Sequence, residues 1–110
     1  MFKVIKIDEA LGAYIEDIDL SKITEETSTE LFSCLAENEV LFFRNQNIRP
    51  KDHKRFASFF GNLQTHPAYP TIESFPEITI LENDEENPSK IEEWHTDMTF
   101  KKDPPLGSIL

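Results

Sequence analysis

The order of apolar and polar positions along this chain marks out a short series of elements. Phe2, Val4, Ile5 and Ile7 alternate imperfectly with polar residues, which predicts a strand over 2–7. Gly12 precedes a second extended piece, Ala13-Tyr14-Ile15. From Thr24 the spacing becomes helical, with Leu31, Phe32, Leu35 and Ala36 on one apolar face. Thr24 is placed to cap this helix, and Glu25 and Glu26 fall in its first turn, where the helix dipole favours negative charge. Val40-Leu41-Phe42-Phe43-Arg44 is apolar on both faces and predicts a strand buried between layers. Pro50 suits the first position of a second helix carrying Phe56, Phe59 and Phe60, with Gly61 at its C-terminal cap.

Beyond Gly61 the pattern loosens. Pro67 and Pro70 exclude regular helix from Gln64 to Pro70 and predict an extended loop. Ile78-Thr79-Ile80-Leu81 reads as a strand, and Glu82 to Glu93 as an exposed acidic loop. Trp94 to Phe100 is the next strand, with Trp94 and Phe100 packing to hold it. Pro104-Pro105 breaks the chain, and Leu106 to Leu110 opens another strand. The elements together predict an α+β, mostly β fold.

Composition narrows the classes. With 110 residues, 38% of them hydrophobic and 9 of them Phe, the chain has material for one small domain. Its net charge of −10 disfavours nucleic acid and anionic membrane as partners. No apolar run is long enough for a membrane helix, and no leader pattern opens the sequence. The single cysteine, Cys34, forms no internal disulfide, which fits a reducing cytoplasm. No His or basic neighbour activates its thiol, so it reads as a packing residue. His53, set among Lys51, Asp52, Lys54 and Arg55, belongs on a solvated helix surface.

The chemistry lies in Trp94-His95-Thr96-Asp97-Met98-Thr99-Phe100. Side chains alternate along a strand, so His95 and Asp97 would point the same way. An imidazole and a carboxylate side by side can supply two of the three ligands of a 2-His-1-carboxylate iron site. Alone, a His-x-Asp triplet also arises by chance on an ordinary surface.

Context adds to the triplet. The heptapeptide is followed by Pro104-Pro105-Leu106-Gly107, and together they resemble the metal-site segment of the taurine dioxygenase family of Fe(II)/2-oxoglutarate-dependent oxygenases. Three further blocks are similar to that family in order and spacing: Val40 to Gln46, Phe56 to Leu63, and His66-Pro67-Ala68-Tyr69-Pro70. The resemblance covers nearly the whole chain. It implies a double-stranded β-helix (jelly roll) with flanking helices, here incomplete. It also implies Fe(II) held by His95 and Asp97, 2-oxoglutarate as co-substrate, and hydroxylation of a C–H bond beside a sulfonate, releasing sulfite and an aldehyde. His66 and Tyr69 are implied as donors to the substrate anion, a role that suits a buried anion's need for hydrogen bonds.

Two departures qualify the resemblance. Where the taurine enzymes carry an amide four residues before the metal His, this chain has Ile91, which cannot hydrogen-bond a sulfonate. The family's distal His and its 2-oxoglutarate-binding Arg fall beyond the matching point of Leu110, and neither His53 nor His66 matches the distal ligand. Residues 1–110 are therefore expected to be the N-terminal part of a single dioxygenase domain, inactive alone. Its expected partners are a small sulfonate-like anion and either a second copy or a C-terminal complementing chain. A different class of reading is a degenerate, non-catalytic fragment that at most binds another protein through an open sheet edge. A third is an unrelated acidic β-rich binding module with a chance His-x-Asp.

Overall fold

The computed structural model describes all residues except 8, 9, 67, 68 and 90–92. Two compact units divide the chain, Met1–Phe60 and Gly61–Leu110. Among the described residues, no helix is long and apolar enough to cross a membrane.

The first unit holds three strands and two helices: β1 (Lys3–Lys6), β2 (Ala13–Glu16), α1 (Glu25–Asn38), β3 (Leu41–Phe43) and α2 (Pro50–Ser58), with one 3-10 turn at Leu20–Lys22. The strands lie in the order β1-β2-β3, β1 antiparallel and β3 parallel to β2. Gly12 joins these pieces. Its φ of +98° is a conformation that favours glycine, its N–H donates to the Asn38 carbonyl at 2.7 Å, and its carbonyl accepts from Ile7 N–H at 3.0 Å.

One face of the sheet carries the core. Ala13 and Ile15 of β2 are buried, joined by Leu20, Ile23, Leu31 and Phe56. Phe43 meets Phe56 edge-on with ring centroids 5.8 Å apart, which places α2 against the inner face. Burial of side chains such as Ile15 and Leu31 contributes about 1.5–3 kcal/mol each.

Several expectations hold. Thr24 caps α1, its Oγ1 accepting from Thr27 N–H at 3.2 Å. Pro50 occupies the first position of α2. Residues 82–89 and 93 of the expected acidic loop are exposed, and its residues 90–92 lie outside the described residues. His53 is half-buried on α2 rather than fully solvated.

Other expectations are corrected. The Val40–Arg44 run is not buried on both faces: helices cover only one side of the sheet, so Phe42 faces outward at 44% exposure beside Tyr14. The buried face of α1 runs through Ser28, Leu31 and Asn38, while Phe32 is exposed and stacks on Phe60 at 6.0 Å. Gly61 does not cap α2. The helix closes earlier, on Phe59 N–H to Phe56 O and Phe60 N–H to Ala57 O, and Gly61 follows at φ +140°.

In the second unit β4 (Thr71–Ile72) and β5 (Phe75–Thr79) form an antiparallel hairpin. The strand expected at 78–81 thus begins earlier and ends at Thr79, Pro76 being tolerated where a strand has only one partner. Trp94–Phe100 and Leu106–Leu110 are not strands. No strand among the described residues pairs with either segment, and a strand needs a neighbour for its backbone groups. Trp94 and Phe100 accordingly do not pack: they are fully and three-quarters exposed.

Candidate metal centre

His95 and Asp97 come together, though not in the way a strand would bring them. The chain bends at Asp97–Met98, with Met98 at φ +54°, and the bend closes with Lys101 N–H donating to Met98 O at 3.2 Å. His95 Nε2 lies 3.3 Å from Asp97 Oδ1. The other ring nitrogen, Nδ1, is 2.9 Å from the Glu93 carbonyl oxygen. A carbonyl only accepts, so that contact places the proton of a neutral imidazole on Nδ1 and leaves the Nε2 lone pair facing Asp97.

That arrangement decides what can sit between the two. A lone pair on Nε2 and a carboxylate oxygen repel unless a proton or a cation bridges them. The protonated form is an ion pair with side chains 51% and 69% exposed, and such a surface pair contributes little stability. The unprotonated form is a pair of ligands. Donor atoms at roughly 2.1 Å from a metal and at right angles to each other lie about 3 Å apart, so this spacing fits two adjacent coordination positions. The Glu93 carbonyl is the outer partner that commonly orients a metal-binding imidazole. Among the described residues no group of three or more His, Cys, Asp or Glu is placed to hold a metal. The donor set present is an imidazole and a carboxylate, which fits part of a non-haem iron site and not the whole of one.

His66 and Tyr69 form a second pair in the same unit, with ring centroids 4.8 Å apart and planes tilted by 49°. His66 is half-buried, and Tyr69 is 40% exposed. The residues between them, Pro67 and Ala68, and the departure at Ile91 lie outside the described residues. Lys101 Nζ donates to Gln64 Oε1 at 3.4 Å and so ties the segment after Asp97 to the one before His66. Nothing in the sequence marked that link, because it joins residues far apart in the chain.

Cys34 takes no part. Burial, then Glu37 and Glu30, push its thiol pKa up, which suits a packing residue and not a nucleophile. A cleft of about 410 Å³ in the first unit is lined by Ile18, Asp19, Ser21, Asn45, Gln46 and Asn47, and none of the four candidate residues reaches it.

Known proteins are similar to this chain. An alkylsulfatase of Acinetobacter baylyi is 33% identical over 96% of this chain and 33% of its own length. An alpha-ketoglutarate-dependent sulfate ester dioxygenase of Pseudomonas putida is 29% identical over 91% of this chain and 33% of its own. The chain thus spans about a third of the length of these curated relatives. Among solved structures, a taurine dioxygenase from Burkholderia xenovorans superposes with a TM-score of 0.62 at 25% identity, over 68% of this chain and 28% of that one. The profile of the taurine catabolism dioxygenase TauD, TfdA family matches residues 3–110, and the chain belongs to that family.

Proposed function

We propose that this chain forms the N-terminal part of an Fe(II)- and 2-oxoglutarate-dependent dioxygenase that hydroxylates a C–H bond beside a sulfonate or sulfate ester. The observation that supports it most directly is the convergence of His95 Nε2 and Asp97 Oδ1, with Glu93 O fixing the imidazole. In this reading His95 and Asp97 hold the metal through neutral imidazole and carboxylate. His66 and Tyr69 donate to the substrate anion. Bound iron supplies the activation of dioxygen that no side chain of this chain can supply. The fold completed in this way is the double-stranded β-helix, of which these strands and helices are the opening part. The names of the alkylsulfatase and sulfate ester dioxygenase relatives support this substrate class, a small anion with a sulfur-oxygen head.

The third ligand and the co-substrate's carboxylate partner come, in this reading, from a C-terminal polypeptide. The 110-residue chain alone accordingly yields no Fe(II)-dependent succinate from 2-oxoglutarate, and the completed protein does. Turnover by the purified chain, its mass confirmed, would sink the fragment reading. His95→Ala in the completed protein abolishes iron binding and turnover; retention of both would refute the ligand assignment.

A second reading rests on exposed apolar groups. Trp94, Leu106 and Leu110 stand largely in water, and among the described residues β3 has one unpaired edge. In that reading the chain is a non-catalytic fragment that docks on another protein. Unchanged partner binding together with absent iron binding in the completed protein would favour it.

A further inference from the structure

We propose that Gln64 is a third donor to the substrate anion beside His66 and Tyr69, with Lys101 as the positioning residue that orients its amide. The inference rests on the assignment of His66 and Tyr69 to that anion. Lys101 Nζ donates to Gln64 Oε1 at 3.4 Å. An ammonium only donates, so the amide oxygen faces the lysine and the Nε2 N–H groups are turned toward a different acceptor. The half-buried cation also polarises the amide, which makes those N–H groups better donors.

Gln64 stands where such an acceptor would arrive. Along Gln64-Thr65-His66 the residues are half-buried, exposed and half-buried. That is the alternation of an extended segment, and it puts Gln64 and His66 on one side and Thr65 on the other. His66 meets the Tyr69 ring with centroids 4.8 Å apart, and Tyr69 is exposed enough for a ligand to reach it. Charge makes specific donors necessary here. From Gly61 to Leu110 the sequence holds no arginine and only Lys90, Lys101 and Lys102 against ten Asp and Glu, so the general field repels an anion. Lys102 is exposed and Lys90 lies outside the described residues, whereas Lys101 is half-buried and linked to the segment that carries His66. All of these groups belong to the Gly61–Leu110 unit, so the 110-residue chain holds the anion by itself, with no need of metal or further polypeptide.

The test is titration of the ¹⁵N-labelled 110-residue chain with methyl sulfate, against sodium chloride at matched ionic strength, read by NMR. The Gln64 side-chain amide and the His66 ring resonances shift saturably with methyl sulfate and not with chloride. Gln64→Glu keeps an acceptor for Lys101 but replaces the donors with a like charge, and weakens the binding read at His66 about tenfold. Gln64→Met, of similar length and without donors, also weakens it. Lys101→Met weakens binding about three- to tenfold, while Lys101→Arg and Lys102→Met keep it. Unchanged affinity in both Gln64 variants makes the Lys101 bond a purely structural link; it overturns the inference and leaves His66 and Tyr69 as donors. Unchanged affinity in Lys101→Met overturns the positioning role. No saturable shift in the wild-type chain removes the anion site from these residues, and the assignment of His66 and Tyr69 falls with the inference. Loss of the far-UV circular dichroism spectrum in both Gln64 variants makes Gln64 a determinant of the fold and also overturns the proposal.

Discussion

Gln46 Oε1 accepts a hydrogen bond from the Leu20 N–H at 2.9 Å, across more than a third of the first unit's sequence. The same amide donates through Nε2 to the carbonyls of Ile18 and Arg44, each at 3.0 Å. One side chain therefore satisfies three backbone groups and pins the turn before α1 to the end of β3. Gln46→Ala leaves these groups without partners in a partly buried site and destabilises the first unit by about 1–3 kcal/mol. Urea unfolding followed by circular dichroism measures it. Gln46→Glu keeps the acceptor but loses both donors, and recovers only part of the loss.

Glu39 ends α1 with φ +68° while its N–H donates to Leu35 O at 2.7 Å. Its side chain is exposed, so nothing is lost by removing it. Glu39→Gly relieves the left-handed strain and raises stability by about 0.5–1 kcal/mol, seen as a higher unfolding midpoint. An unchanged or lower midpoint contradicts the strain argument.

Asp52 gives the stability of the first unit a pH dependence. The Arg49 backbone N–H donates to its Oδ2 at 3.0 Å, and this bond, with the Arg49 side chain, holds the carboxyl below the usual carboxylate range. A depressed folded-state pKa means that the folded chain binds this proton less readily than the unfolded one. The stabilisation is complete above the ordinary value and is lost as pH falls through the depressed one. Asp52→Asn therefore lowers stability at neutral pH and flattens its fall in acid. Parallel pH–stability curves for the two proteins would contradict this.

Cys34 gives a chemical test of burial. With its thiol pushed up by burial and by two glutamates, it carries little thiolate at neutral pH. Iodoacetamide modifies it more slowly than a free cysteine, and unfolding in urea removes the difference.

Where a residue's own chemistry decides local structure, the sequence is legible. Thr24 caps α1 because a hydroxyl can accept from the first turn, and Pro50 opens α2 because it lacks the N–H that position leaves unused. The buried face of α1 is less legible, because Ser28 and Asn38 are buried by bonding to the helix's own carbonyls, Glu25 O and Cys34 O. Phe42 and Trp94 are misread for a different reason. Whether an apolar residue is covered depends on a second layer or a neighbouring strand, which no local pattern contains. The candidate site shows both cases. The nearness of His95 and Asp97 follows from their spacing, but the bend that follows them at Met98 has an ordinary sequence signal.

Trp94 is the chain's single tryptophan, stands fully in water, and immediately precedes His95. Its place makes the protein's intrinsic emission a local gauge. Excited at wavelengths that tyrosine does not absorb, the indole reports the surroundings of this segment without emission from Tyr14 of the Met1–Phe60 unit. A blue shift records the covering of this stretch by another polypeptide, and quenching by a paramagnetic ion records metal arriving at the neighbouring imidazole.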